Sequence, residues 1–126
     1  MSYLQEKLDI EGYFEANWTH TPVVFENGVP DQSSDWVRLS IQNGKAYQAS
    51  MGDNPQFRYP GVVFVQIFTA KDVGSGRAID LADKVEGLFK NAIINGIQFR
   101  VPRVNKVPSN SENYQVNVST AFYRGS

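Results

Sequence analysis

Apolar positions recur along this chain with two different periods, and each change of period marks an element. Over residues 3 to about 17, Leu4, Leu8 and the Gly12-Tyr13 pair follow steps of three and four, and Phe14 and Trp18 continue that side. This is helical spacing, with Ser2 placed to cap the start and Glu6 in the first turn. Thr21-Pro22 closes the helix, because the residue before proline is pushed out of the α region. A short strand, Val23 to Glu26, runs into the turn dipeptide Asn27-Gly28, and residues 29–35 read as a polar loop.

Strict alternation begins at Trp36. Val37, Leu39 and Ile41 fall on one face, and Trp36, Arg38, Ser40 and Gln42 on the other, as in a half-buried strand. Asn43-Gly44 follows directly and predicts a two-residue hairpin turn, with Lys45 to Met51 as the return strand. Gly52-Asp53-Asn54-Pro55 breaks that strand, and Val62 to Thr69 is the most apolar β segment. The loop Lys71 to Gly76 leads into the clearest helix, with Ser75 as a possible cap. There Ala78, Ala82, Val85, Phe89, Ala92 and Ile93 form the stripe, and Asn95-Gly96 supplies a C-terminal stop. Ile97, Phe99 and Val101 predict a further strand, Pro108 to Asn113 a turn-rich loop. In the last strand Tyr114, Val116, Val118, Thr120 and Phe122 alternate with Gln115, Asn117, Ser119, Ala121 and Tyr123.

This order predicts an α+β, two-layer fold. A mixed, mainly antiparallel sheet of about five to six strands carries two helices on one face, since that buries both helical stripes at once. The 126 residues suit one domain spanning 1–126, and neither an internal repeat nor a heptad run is visible. Residues Gln42 to Gly61 look like a long β-arm whose outer half, Met51 to Tyr59, could reach a neighbouring subunit. The final strand could offer a free edge for pairing.

Composition narrows the chemistry. There is no cysteine and one histidine, which excludes disulfide scaffolds, thiolate metal sites and cysteine nucleophiles. Twelve basic against thirteen acidic residues rule out a polyanion binder working through bulk charge, although a local basic patch can hide in that average. The opening residues hold Glu6, Asp9 and Glu11 and no apolar run long enough for a signal-peptide core. The longest apolar run, Val62 to Val65, is far short of a membrane span, so a cytoplasmic site of synthesis is the default expectation.

No catalytic, cofactor or metal set emerges. Gly74-Ser75-Gly76 fits neither phosphate-loop template and reads as a steric requirement at a helix start. His20 has no orienting carboxylate or nucleophile nearby in the sequence, and reads as a surface or capping residue. Asp80 and Asp83 share a helix face with Arg77 and Lys84, an ordinary charged surface, and Asp31 and Asp35 flank a loop. The more informative group is Trp36, Arg38, Tyr47, Met51, Phe57, Arg58 and Tyr59. Aromatic and arginine side chains of this kind can be core, can dominate a protein–protein contact, or can stack nucleic-acid bases.

The joint order of these pieces resembles a known family. A first helix ending in Trp18, the strand Pro22-Val23-Val24-Phe25-Glu26-Asn27-Gly28, and Asp35-Trp36-Val37-Arg38-Leu39 look like the opening of the phage tail terminator-like proteins. Arg58 to Phe68, ending Gly61-Val62-Val63-Phe64-Val65-Gln66-Ile67-Phe68, matches the family's next strand. The Gly74-Ser75-Gly76 junction and the helix bearing Ala78, Leu81, Ala82, Asp83, Glu86 and Phe89 follow in the same order. The resemblance covers nearly the whole chain and rests on structural residues; Trp36, Arg38, Arg58, Gly61, Gln66 and Gly74 carry it, and the part after Gly96 is the least distinctive.

The resemblance implies a structural virion protein of the phage tail, assembled in the cytoplasm of a bacterial host. It would be a homo-oligomeric ring, commonly a hexamer in the family, on the end of the tail tube. Its partners would be the tail-tube protein and a head-completion or connector protein, with DNA passing through the ring without tight binding. It implies no enzyme activity and no cofactor. The seven residues from Trp36 to Tyr59 named above would then be subunit-interface candidates. An alternative of another class is a small carbohydrate- or ligand-binding module using Trp36 and the Phe57–Tyr59 aromatics.

Overall fold

The computed structural model describes residues 2–25, 35–48, 52, 57–70, 75–107 and 113–125. The elements in chain order are α1 (Tyr3–Asn17), β1 (Val23–Phe25), β2 (Trp36–Asn43), β3 (Tyr47–Gln48), β4 (Phe57–Ala70), α2 (Ser75–Phe89), β5 (Ile93–Ile94), β6 (Ile97–Phe99), β7 (Arg103–Val107) and β8 (Asn113–Gly125). They make an α+β fold in which both helices share a core with one mostly antiparallel sheet. The sheet order is β1-β2-β4-β8-β6-β5, with β3 joining β4 and β7 joining β8. Among the described strands only the β1–β2 pair is parallel. The Asn27-Gly28 turn, the 108–113 loop except Asn113, Gly74, Asp31 and Met51 lie outside the described residues.

The two longest strands, β4 and β8, pair along their whole length from Arg58↔Gly125 to Ala70↔Asn113 and form the spine. Alternation sends Val63, Val65, Ile67, Val116, Val118 and Phe122 to one face, where β2 adds Val37 and Leu39. Helix α2 covers this face with Ala78, Leu81, Ala82, Val85 and Phe89, and α1 adds Ile10, Phe14 and Trp18. The helices meet through stacked Phe14 and Phe89, 6.0 Å between ring centres, and the Tyr13 hydroxyl donates to the Leu88 carbonyl at 2.7 Å.

Helix α1 begins where Ser2 predicts, its hydroxyl accepting from the Gln5 amide at 3.0 Å. Its buried face differs from the expectation. Glu6, Ile10 and Phe14 point inward, four residues apart, while Leu4 and Leu8 are 65% and 53% exposed. The helix is turned to bring Glu6 onto Arg124, and the apolar pair Leu4 and Leu8 is left in water as a consequence.

Two of the three Asn-Gly dipeptides depart from their expected roles. Asn43-Gly44 makes no hairpin turn: neither residue has a positive φ, and the Gly44 amide instead donates to the Pro60 carbonyl at 3.0 Å. Strands β2 and β3 lie end to end on the same edge of β4, so the return strand pairs with β4 and not with β2. The register slips by one residue between them, from Asn43↔Gly61 to Tyr47↔Arg58, which is a bulge in one long strand. Asn95-Gly96 is not a helix stop. Helix α2 ends at Phe89, and Asn95 and Gly96, at φ 48° and 86°, make the two-residue turn joining β5 to β6. Ile93, expected on the helical stripe, is 70% exposed on β5.

Two further expectations change. Strand β8 is not a free edge, because β4 flanks it on one side and β6 and β7 on the other. The arm is not free-standing at its base either, since Arg58 to Gly61 pair with Phe122 to Gly125 of β8. Strand β7 has no counterpart in the sequence pattern, because Arg103 to Lys106 are all exposed and show no buried phase.

Candidate interaction surface

The sheet face opposite the helices carries the second phase of every long strand. Register places three rows across it: Trp36, Phe68 and Gln115; then Arg38, Gln66, Asn117 and Asn105; then Ser40, Phe64, Ser119 and Arg103. Gln42, Val62 and Ala121 continue the pattern, followed by Pro60, Tyr123 and Gln98. This open face mixes aromatic, amide and arginine side chains. The described part of it holds no acidic residue.

Two clusters stand out, one at each end of β4. At one end Trp36 stacks on its cross-strand neighbour Phe68, with ring centres 4.2 Å apart and planes 15° from parallel. The Arg38 guanidinium lies 5.4 Å from the Trp36 ring centre. Trp36 is buried, 5% exposed, although it points away from the helices. Its indole Nε1 and the Nε of Arg38 are buried and meet no acceptor among the described residues.

At the other end Tyr123 is the centre. The guanidinium groups of Arg58 and Arg100 each stand 5.6 Å from its ring centre, and its hydroxyl donates to Gln98 Oε1 at 2.6 Å. Arg100 is held by its backbone, its amide donating to the Ala121 carbonyl at 2.8 Å and its carbonyl accepting from the Thr120 hydroxyl at 2.9 Å. Tyr47, exposed, is the register partner of Arg58. Between Tyr47, Arg100 and Tyr123 lies a depression of about 440 Å³ floored by Pro60, Gly61 and Val62. A smaller one of about 280 Å³ separates Arg100 from Arg103, with Ser119 and Ala121 beneath.

The seven residues singled out by sequence therefore divide. Trp36 and Arg38 form one cluster. Tyr47, Phe57 and Arg58 sit at the other end of the sheet, about 33 Å away at roughly 3.3 Å per residue along β4. Tyr59 and Phe57, two residues apart on β4, share the phase that faces the helices and leave the open face, and the Arg124 guanidinium lies 4.3 Å from the Tyr59 ring centre. Met51 lies outside the described residues. Sequence reasoning missed Tyr123, Arg100 and Arg103. Tyr123 was legible as the residue opposite in phase to Phe122, but its meeting with Arg58 depends on a strand pairing that spacing alone does not give.

Other candidates stay plain. His20 is exposed and set edge-on to Trp18, with ring centres 4.9 Å apart. The Asp80 carboxyl is held below its ordinary range, first by a 2.6 Å hydrogen bond from Lys84 and then by the charges of Lys84, Arg77 and His20. Among the described residues no group of three or more His, Asp or Glu side chains is placed to hold a metal ion. No described helix is long and apolar enough to cross a membrane. Compared with known proteins, the chain matches no protein-family model and no curated protein.

Proposed function

We propose that this chain is a structural subunit of a phage tail. In this reading it resembles a tail terminator: copies close into a ring on the end of the tail tube, end tube polymerisation and present the surface to which the filled head is joined. The family pattern in the sequence suggests the role. The observation that carries it is the open sheet face, broad, rich in arginine and aromatic side chains, and left uncovered by the chain's own helices. Residues of these types dominate contact energies between proteins. A ring subunit needs two unlike contact surfaces for its neighbours and two more for tube and head, and it needs no reactive group. The tail-tube protein and a head-completion protein are the partners, the virion tail is the location, and DNA passes without tight binding.

The test is to add the purified protein to polymerising tail-tube subunits and measure tube lengths. Capping shortens the tubes and leaves the protein bound at one end. Unchanged lengths and no tube-bound protein at any ratio would refute the reading. The 440 Å³ depression beside Tyr47, Arg100 and Tyr123 favours a second reading, a small carbohydrate- or ligand-binding module. A rise in melting temperature with an oligosaccharide panel, lost in Tyr123→Ala, would support that one instead.

A further inference from the structure

The charges of this chain are sorted by element. The eight described strands hold five basic residues, Arg38, Arg58, Arg103, Lys106 and Arg124, and no acidic one. The two helices hold seven acidic residues against three basic ones. Arg124 is used internally against Glu6, but Arg38, Arg58 and Arg103, joined by Arg100, belong to the open face. None of these four makes an ion pair among the described residues. On the helical side Glu15 and Asp83 are exposed, Glu86 is half-buried, and no described cation pairs with any of the three. Both helices pack on one face of the sheet, so the two sets of charge lie back to back. A formal net charge of -1 conceals this polarity.

A molecule with one cationic and one anionic face has a preferred way of meeting itself. A two-fold contact brings like charge against like, which is costly, whereas a head-to-tail contact brings cation against anion. An acidic partner such as duplex DNA would satisfy the arginine face but be repelled by the helical one. A second copy uses both. We propose that the open face of one copy, through Arg58, Arg100 and Arg103, docks on the α1–α2 face of the next, at Glu15, Asp83 and Glu86. This rests on the ring reading above and names its subunit interface. Each contact leaves one face of each sign free at the ends of a string, and a rotation between successive copies that closes on itself makes the string a ring in which every face is used.

The test reverses exposed charges on each face and follows self-association by sedimentation velocity at low ionic strength. One variant carries Arg100→Glu and Arg103→Glu, the other Glu15→Lys and Asp83→Lys; all four positions are exposed. The native chain associates, and association weakens as salt is raised. Each variant alone associates more weakly by on the order of a hundredfold, since like charges then face each other. An equimolar mixture of the two associates again, which also shows that both are folded. Variants that associate as the native chain does, or a mixture that does not recover, would overturn the proposal. So would loss of DNA retention in the first variant with self-association unchanged, which would mark a nucleic-acid surface. A native chain that never self-associates yet caps tail tubes would sink this interface and leave the tail-terminator reading standing.

Discussion

Glu6 and Arg124 form the most consequential polar contact in the molecule, and replacing one of them gives the sharpest test of the packing described above. Arg124 Nε donates to Glu6 Oε1 at 2.9 Å, and Asn43 Nδ2 donates to Glu6 Oε2 at 2.7 Å. The guanidinium also lies 4.3 Å from the Tyr59 ring centre and 5.0 Å from that of Tyr3. Both side chains are within 2% of complete burial. Glu6→Gln keeps the shape but removes the carboxylate charge that faces the buried Arg124 guanidinium. Removing one partner of such a pair costs about 3–5 kcal/mol. A chain of this length has a total stability of roughly 6–19 kcal/mol at 0.05–0.15 kcal/mol per residue, so the loss is a large share. With about 2.1 cal/mol/K of unfolding entropy per residue, the melting midpoint falls by roughly 11–19 °C. Urea unfolding followed by far-UV circular dichroism measures the loss, with the denaturant slope unchanged if the transition stays two-state. The double variant Glu6→Leu, Arg124→Met buries no charge and should lose less than Glu6→Gln alone. A Glu6→Gln protein within 1 kcal/mol of the native chain, or a double variant worse than either single one, would refute this reasoning.

Three further outcomes follow from local geometry. Gly61 lies beneath the ring of its cross-strand partner Phe122, and a Cβ there would come within 2.4 Å of Phe122 Cζ. Phe122 is itself buried beside Phe99, so Gly61→Ala should destabilise by ~1–3 kcal/mol in the same urea assay. Gly96→Ala should cost ~1–2 kcal/mol because φ is 86° there, whereas Gly44→Ala, whose φ is not positive and whose Cβ would touch Pro60 at an ordinary 3.4 Å, should be close to neutral. Lys84→Met should let the Asp80 carboxyl titrate nearer its ordinary range, observed by carboxyl NMR. A carboxyl depressed in the folded state contributes stability above its unfolded value and loses it as pH falls through the folded one. The native chain's advantage over Lys84→Met should therefore be present at neutral pH and shrink on acidification.

Much of the fold was legible because burial and period coincide. The phases of β2 and β8 follow directly from alternation, and α2 shows its buried stripe because its outer side is charged. Val62 to Thr69 is apolar enough to read as a central strand covered on both sides, yet only Val63, Val65, Ile67 and Thr69 are buried. Helix α1 misled for a physical reason. Its inward face includes a carboxylate whose partner is 118 residues away, so the apolar pair Leu4 and Leu8 seemed the better stripe. The Asn-Gly signals were ambiguous in kind. At 95–96 the flanking strands are short and need a tight turn; at 43–44 the length of β4 gives the chain something to continue pairing with. The candidate surface was half visible. Arg58 and Tyr47 were recognised by residue type, but Tyr123, Arg100 and Arg103 join them through the antiparallel register of β4 with β8 and of β8 with β6 and β7. Charge sorting likewise becomes visible only with the strand register, which puts Arg58 and Arg103 on the face away from both helices.

The central claim is that this chain acts by assembling with copies of itself at the end of a tail tube. Electron microscopy of tail tubes incubated with the purified protein addresses it most directly. The account predicts a closed ring of density at one end of each tube, with no further growth from that end. Bare ends that continue to elongate, with the protein remaining monomeric in the background, would contradict it.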